Sequence, residues 1–371
     1  MTKSLFRRFY IFTAYYMKHP RWLLFPFSLL YGLIIVIRNW LYDAGIIKSR
    51  QFSIPIISVG NLEVGGAGKS PMTEYLVRLF EDDYKISTLS RGYGRETKGF
   101  IIANAGSTAA EIGDEPAQFS RKFPDITVAV CEDRAKGIDQ LKHSHNLVIL
   151  DDAYQHRAVK PGFSVLLFDY GKIKEPHLLL PAGDLREPLS SRWRADVLIV
   201  SKCPGDMSVE EQARIASELE PLPYQYLFFT SIAYQPLQDL SGKQPAATAI
   251  ESDTTVFLLT GIANPEPLLQ HIKNYSQNIV HHKYPDHHQF SLKNISKLAG
   301  EFDACAAQKK LIITTEKDAQ RLLEHGLQEA VKGLPVLVMP IATEFLDVGG
   351  PQFDNLVKEY VREHSANHIV H

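Results

Sequence analysis

An apolar run, Ile54–Val59, leads into Gly65-Gly66-Ala67-Gly68-Lys69-Ser70, and Pro71 follows at once. A short apolar run suits a buried strand. Proline is tolerated at the first position of a helix. Met72, Leu76, Leu79 and Phe80 then recur at helical spacing and give that helix an apolar face. A strand that turns through glycines into a helix is the geometry of a phosphate-binding loop. Its backbone N–H groups and the helix N-terminus cradle a polyphosphate, Lys69 reaches the β- and γ-phosphates, and the Ser70 hydroxyl holds Mg²⁺. Glu63 stands six residues before Lys69, where the general pattern has glycine, so Gly65 and Gly66 have to supply the flexibility. The plainer reading is a Gly-rich turn with a chance Lys-Ser.

A second feature weighs against chance. Leu147-Val148-Ile149-Leu150 ends in Asp151-Asp152, the pattern of a strand that presents a Mg²⁺-ligating carboxylate beside a phosphate loop. Together the two motifs predict binding of Mg²⁺ with ATP or GTP. Further strands are expected at 85–89, 126–130, 164–168 and 197–201, with helical segments between several of them. This describes an α/β fold: a doubly wound, mostly parallel, P-loop-containing sheet with its site at the strands' C-terminal ends. Polar clusters fall at those ends: Ser90 to Arg95, Gly113 to Pro116, Glu132 to Arg134, Gln155 to Arg157 and Gly183 to Pro188. Arginines on so many loops suit a substrate that itself carries phosphate. A GTP-binding chain would show Asn-Lys-x-Asp at a strand end. Ser201-Lys202-Cys203-Pro204 lacks the Asp, and Thr315-Glu316-Lys317-Asp318 has the wrong order, so ATP is favoured.

The net charge of −2 hides an asymmetry. Residues 1–50 carry eight Lys or Arg (Lys3, Arg7, Arg8, Lys18, Arg21, Arg38, Lys48, Arg50) against Asp43 alone, and hold 12 of the 38 aromatics. A basic, aromatic-rich head on a mildly acidic body points to an anionic surface, and the apolar run inside it fits lipid better than nucleic acid. Sixteen uncharged residues, Trp22 to Ile37, fall short of the roughly 20 needed to span a bilayer, and Pro26 is expected to disturb the first turns. No small-residue cleavage site follows, which argues against a signal peptide. Five basic residues precede the run and keep the N-terminus cytoplasmic. A single crossing would then carry the rest of the chain away from ATP. Two readings stand: a helix that lies in or dips into the inner leaflet, and a buried helix of an ordinary core. The second leaves the basic flanks unexplained.

Apolar residues at 45% and charged residues at 22% argue against disorder and against a polytopic membrane protein. Cys131, Cys203 and Cys305 form no CxxC pair, so no disulfide framework or zinc ribbon is expected. The length suits two or more domains. The expected division is a membrane-associating helical segment at 1–50, a phosphate-loop domain at 51–228, a smaller α/β domain at 229–345, and a last helix at 346–371 that returns to the first domain. Two crossings between domains would permit hinge closure. In the second domain His281-His282-Lys283-Tyr284-Pro285-Asp286-His287-His288 concentrates imidazoles. A metal site, a solvated loop and a catalytic or substrate-positioning histidine are the alternatives, and the spacing matches no zinc pattern.

Assembled, these residues resemble one family over nearly the whole chain, the tetraacyldisaccharide 4'-kinases. The resemblance rests on the basic apolar head, Ser58-Val59-Gly60-Asn61, Gly65 to Pro71, Ser90-Arg91-Gly92-Tyr93-Gly94 and Gly113-Asp114-Glu115-Pro116. It continues through Asp151-Asp152-Ala153-Tyr154-Gln155-His156, Pro181 to Pro188, Asp286-His287-His288 and Thr315-Glu316-Lys317-Asp318. Ala153, Ala67 and Ser70 depart from the commoner residues without removing a catalytic group. The resemblance implies transfer of the γ-phosphate of ATP to the 4'-hydroxyl of a lipid-linked glucosamine disaccharide 1-phosphate. The place would be the cytoplasmic face of the inner membrane, with the protein peripheral or monotopic and no nucleic acid involved. It implies Asp114 as base, paired with His287 rather than His288. Lys69 would neutralise charge. Gly65, Gly66, Ala67, Gly68, Lys69, Ser70 and Gln155 would hold the nucleotide, and Ser70, Asp151 and Asp152 the Mg²⁺. Arg91, Tyr93, Arg134 and Arg186 would hold the substrate. A kinase of a soluble sugar or cofactor, and a membrane-tethered nucleotide switch, are the rival readings. The first needs no apolar head; the second is disfavoured by the absent Asn-Lys-x-Asp.

Overall fold

The structure, a computed structural model, describes residues 20–369 apart from 105, 244, 246–248, 324 and 325, with the side chains of residues 20 and 367–369 also outside the description. The basic residues Lys3, Arg7, Arg8 and Lys18 of the head therefore lie outside the described residues. The chain divides into two compact units and passes between them four times. The first unit takes residues up to 91, 133–232 and from 343 onward; the second takes 92–132 and 233–342.

In chain order, the first unit opens with α1 (Phe25–Asp43), β1 (Ile56–Asn61), α2 (Lys69–Phe80) and β2 (Ile86–Ser90). The chain then enters the second unit for β3 (Ile101–Ile102), α3 (Ala109–Ile112), α4 (Asp114–Lys122) and β4 (Thr127–Val130). Back in the first unit come α5 (Arg134–Leu141), β5 (Leu147–Asp151), β6 (Phe163–Asp169), β7 (Val197–Ser201), α6 (Val209–Leu219) and β8 (Tyr226–Tyr234). The second unit resumes with β9 (Gln238–Asp239), β10 (Thr255–Thr260), α7 (Glu266–Lys273), β11 (Ile279–Lys283), α8 (Leu292–Ala304), β12 (Lys310–Thr315), α9 (Glu316–Leu322), α10 (Gln328–Val331) and β13 (Val336–Met339). The final helix, α11 (Gly349–Ile369), belongs to the first unit.

In the first unit the strands run parallel in the order β8-β7-β6-β1-β5-β2. β1 and β5 are buried along their whole length, as parallel strands covered on both faces must be. The expected strand positions hold within two residues. α11 lays Phe353, Val357 and Val361, all fully buried, against this unit. Its Tyr360 hydroxyl donates to Ile56 O (3.1 Å) and accepts from Ile56 N (2.9 Å) at the start of β1, and Tyr75 on α2 donates to Asp354 (2.8 Å).

In the second unit the sheet order is β11-β10-β12-β13-β9, parallel except for β9. β10 has its successor β11 on one side and β12 on the other. This reversal makes a topological switch point, where open α/β sheets place ligands outside the strands' carboxyl ends.

Two expectations change. Residues 92–132 do not belong to a continuous 51–228 domain but to the second unit, and the second stretch of that unit is 233–342 rather than 229–345. The reason is a set of pairings between α4 and α9: Asp114 with Arg321 (3.1 Å), Glu115 with Lys317 (3.0 Å), Lys122 with Glu316 (2.5 Å), and Arg121 with Gln320. The second change concerns the head. Pro26 sits in the first turn of α1, where its missing N–H breaks no helical bond. A 3-10 turn, Pro20–Leu24, precedes it. The helical stretch Arg21–Asp43, 23 residues, is by length and composition long and apolar enough to cross a membrane.

α1 reverses the usual amphipathic order. A soluble-protein helix buries its apolar stripe and exposes its polar one. Here the buried residues are Ser28, Gly32 and Ile35. Ser28 Oγ accepts from Ala182 N (2.9 Å), Tyr31 donates to Arg186 O (2.9 Å), and Arg38 donates to Gln155 O. A Cβ on Gly32 would lie 2.7 Å from Leu179 Cδ1. The remaining surface, with Phe27, Leu29, Leu30, Leu33, Ile34, Val36, Ile37 and Trp40, is exposed, as is Trp22 in the preceding turn. This excludes the reading of α1 as an ordinary core helix.

Candidate active site

The first unit builds a phosphate loop. β1 delivers Asn61 and Leu62, the chain turns through Gly65 (φ 111°) and Gly68 (φ 79°), and α2 starts at Lys69. Left-handed backbone at both glycines is open to residues without a Cβ at little cost, and a Cβ on Gly66 would meet nothing within 4 Å. Ser201, at the end of β7, donates to Ala67 O (2.8 Å) and fixes the back of the loop. Val64 N donates to Asp184 O (2.8 Å) and Arg186 N to Leu62 O (2.7 Å), so residues 184–186 brace its front.

Lys69 Nζ lies 3.2 Å from Asn61 Oδ1 and 3.5 Å from Asp152 Oδ1. Arg186 Nη1 is 3.1 Å from both Asp152 oxygens, and Arg134 Nη2 donates to Asp152 O (3.3 Å). Burial alone would raise the Asp152 carboxyl, but Lys69, Arg186 and Arg134 outweigh it and hold it below the usual carboxylate range. Asp151, buried at the end of β5, accepts from Thr73 Oγ1 (3.2 Å). Gln155 donates to Asn61 O (2.8 Å) and so braces the strand end beneath Lys69. Arg134 is buried, while Arg91 and Tyr93 are exposed.

These residues fit the groups that the loop implies. Asn61 is buried, and its Nδ2 has no hydrogen-bond partner among the described residues. A donor left unmatched beside a lysine suits an anionic ligand, since a buried polar group without a partner is costly. Ser70, Asp151 and Asp152 are hard oxygen donors of the kind Mg²⁺ takes when it shares its shell with nucleotide phosphates. Asn61 and Thr73 were not singled out from the sequence. A polar residue closing an apolar strand before the glycines was the signal for the first.

The second unit builds a separate cluster at its switch point. Asp114 is the first residue of α4, and Gly113 before it has φ 95°. A Cβ at Gly113 would come within 2.8 Å of Tyr93 O, so the turn requires glycine. His287, with φ 57°, follows β11 and donates its backbone N–H to Gly261 O (3.0 Å). Its Nδ1 is 3.3 Å from Asp114 Oδ2. His288 turns elsewhere: its Nε2 is 3.2 Å from Asn294 Oδ1, and its ring stacks on Tyr284. The other imidazoles of the run also disperse, His281 to Thr260 (2.8 Å) and His282 beside Glu301 (3.2 Å). Asp114 and His287 thus meet inside one unit, where the sequence had assigned them to two. Arg321 and Asp318 complete the cluster. Arg321 donates to Asp114 Oδ2 (3.1 Å), Asp318 Oδ1 (2.9 Å) and Gly261 O (3.0 Å). Thr315 caps α9 by accepting from Asp318 N (3.1 Å), and its hydroxyl donates to Asp318 Oδ2 (2.8 Å).

Comparison with known proteins shows the family. The family model for tetraacyldisaccharide-1-P 4'-kinase matches residues 20–362. A tetraacyldisaccharide 4'-kinase of Phocaeicola vulgatus is 43% identical over 357 residues, 94% of this chain and 97% of that protein. One from Flavobacterium johnsoniae is 42% identical over 347 residues, covering 92% and 98%. The crystal structure of LpxK from Aquifex aeolicus in complex with ATP superposes with a TM-score of 0.71 at 28% identity, covering 92% of this chain and all of that one. The chain belongs to the tetraacyldisaccharide 4'-kinase family.

Proposed function

We propose that this chain transfers the γ-phosphate of ATP to the 4'-hydroxyl of a tetraacylated glucosamine disaccharide 1-phosphate, a lipid A precursor, at the cytoplasmic face of the inner membrane. The observation that carries this reading is α1, whose apolar surface stays exposed while its polar edge bonds to the backbone of Arg186 and Gln155, both phosphate-loop partners. A kinase of a soluble sugar has no use for such a helix. The charged flanks and the apolar face suit anionic lipid.

The residue roles are the ones the family resemblance implies, and the distances among these side chains support them. The acceptor oxygen forms a bond to Pγ while the bond from Pγ to the ADP oxygen breaks, and the hydroxyl proton passes to the Asp114 carboxylate. General-base help of this kind contributes about 10²–10⁴ in rate. Lys69 neutralises charge on the transferring group, and the rest of the catalysis is positioning. Ser70, Asp151 and Asp152 would hold a Mg²⁺, which when bound offsets the negative charge of the phosphates. Arg134 and Arg186 keep Asp152 in place, and Arg91 and Tyr93 are offered to the acceptor. His287 orients Asp114.

The test is incubation with labelled ATP and either the lipid acceptor or soluble glucosamine phosphates, read by thin-layer chromatography. Label should move to the lipid alone. Transfer to the soluble sugars, or slow hydrolysis with no acceptor labelled, would refute the assignment.

A further inference from the structure

The polar stripe of α1 ends on the frame of the phosphate loop. Tyr31 and Arg38 stand seven residues apart, two turns along one helix face. Tyr31 donates to Arg186 O (2.9 Å). That residue is held at its other polar groups too: its N–H donates to Leu62 O (2.7 Å), and its guanidinium is 3.1 Å from both Asp152 oxygens. Arg38 donates to Gln155 O, which also takes the Arg157 N–H (3.0 Å). The Gln155 side chain donates to Asn61 O (2.8 Å), and Asn61 Oδ1 is 3.2 Å from Lys69 Nζ. Arg186 and Gln155 therefore each have one end on the loop's frame and the other on the lipid-facing helix.

Arg38 is in an unexpected place for such a helix. A long basic side chain on a lipid-facing segment usually reaches outward to the headgroups. Arg38 turns inward instead and is about two-thirds buried, with Nη1 3.9 Å from Oε1 of the fully buried Glu187. Taking a guanidinium out of water is costly, so the inward turn calls for a role that the headgroups cannot give. The loop between the two contacts is stiff enough to pass a constraint on. Leu180 N donates to Leu185 O (2.9 Å) and Leu185 N to Leu178 O (2.9 Å), which closes the loop on itself. A Cβ at Gly183 would lie 2.2 Å from Leu178 O, so its crest requires glycine.

Resting on the reading of Gly65 to Ser70 as an ATP phosphate loop, we propose that Tyr31 and Arg38 are positioning residues of the transfer. From the lipid-facing helix they fix the main chain of Arg186 and Gln155, and through these they set Asp152 and Asn61 beside Lys69. α1 is then part of the wall of the nucleotide site as well as the membrane contact. ATP affinity depends on its inner face even with no membrane or acceptor present, and is indifferent to its outer face.

The experiment is calorimetric titration of the full-length protein in detergent with ATP and Mg²⁺, without acceptor, joined to amide hydrogen exchange. Tyr31→Phe removes one hydroxyl and should raise the Kd for ATP about threefold to tenfold, the span of one hydrogen bond. Exchange at the Arg186 amide should quicken by a similar factor. Arg38→Met removes a charged donor and should raise Kd about tenfold or more; Arg194 remains to pair Glu187. Arg38→Lys should recover most of the loss, because the bond to Gln155 O is single. Arg38→Met joined to Gln155→Ala should cost little more than the worse of the two, since both break one link. Ile34→Ser, on the outer face and 56% exposed, should lower vesicle partition roughly fivefold and leave ATP affinity unchanged. General damage to α1 would give neither the rescue by lysine nor the silence of Ile34→Ser. Wild-type affinity in both Tyr31→Phe and Arg38→Met, a lysine variant no better than methionine, or an equal loss in Ile34→Ser overturns the proposal. If Arg38→Met does not fold, the near-isosteric Tyr31→Phe decides by affinity and exchange. If wild type itself binds no ATP, the reading of the loop falls first, and the two failures are told apart.

Discussion

Substituting Leu30, Leu33 and Ile37 together by serine should release the protein from membranes without unfolding it. The three lie along one stripe of α1 opposite Ser28, Gly32 and Ile35, and are 58%, 57% and 48% exposed. Full burial of such a side chain is worth about 1.5–3 kcal/mol, so the exposed half of each has about 1 kcal/mol left to gain from a bilayer. Three losses sum to about 3 kcal/mol, or roughly a hundredfold in the partition constant. Binding should weaken without vanishing, because Trp22, Phe27 and Trp40 are also exposed and basic residues near anionic lipid add about 1 kcal/mol each.

The assay is co-sedimentation with sucrose-loaded anionic vesicles, with a thermal melt alongside. The contacts that hold α1 to the body come from the other face, so folding stability should change by no more than ordinary surface substitutions cost, about 0.5 kcal/mol each. A partition constant unchanged within a factor of three would refute the reasoning. A melt lowered by many degrees with partition intact would show that this face packs against protein.

Three further outcomes are expected. Lys69→Ala should leave less than about a tenth of wild-type turnover while the protein stays folded, because Asp152 keeps its bonds from Arg186; single-turnover assays with labelled ATP check this. Asp114→Asn should lower kcat by about 10²–10⁴ with ATP binding retained, and adding His287→Ala should cost little more, since groups that act as a unit are non-additive; fully multiplicative losses in a double-mutant cycle would show independent roles. Burial, with Arg134 next, pushes the His156 imidazole down to about 4 from 6.5. Its folded value lies below its unfolded one, so the associated stability is present above about pH 6.5 and is lost as pH falls toward 4, by about 1–2 kcal/mol after allowing for partial exposure; urea midpoints at pH 7.5 and 5 should show the loss, and His156→Gln should flatten it.

What the sequence made legible is what it encodes locally. Gly65 to Ser70 and Leu147 to Asp152 each place their chemistry within a few residues of a strand end, and parallel pairing of β1 with β5 brings them together. The family motifs likewise located Asp114 and His287, but not the unit that owns Asp114. That depends on α4 meeting α9 through pairs such as Asp114 with Arg321, 207 residues apart, and no periodicity reports a contact at that separation. Arg321 escaped notice for the same reason. On a short helix it reads as one more basic residue in the last turn, and only its burial between Asp114 and Asp318 shows that its charge is spent inside the protein. The length of α1 is hidden for a different cause. Arg21 and Arg38 bound the uncharged run in the sequence, yet both side chains turn to the body, Arg21 to Asp184 (2.8 Å) and Arg38 to Gln155 O. A charge ends an apolar run in the sequence; it ends a lipid-facing surface only if the side chain points that way, and here two arginines bind the helix to the enzyme and leave its outer face apolar for a further turn.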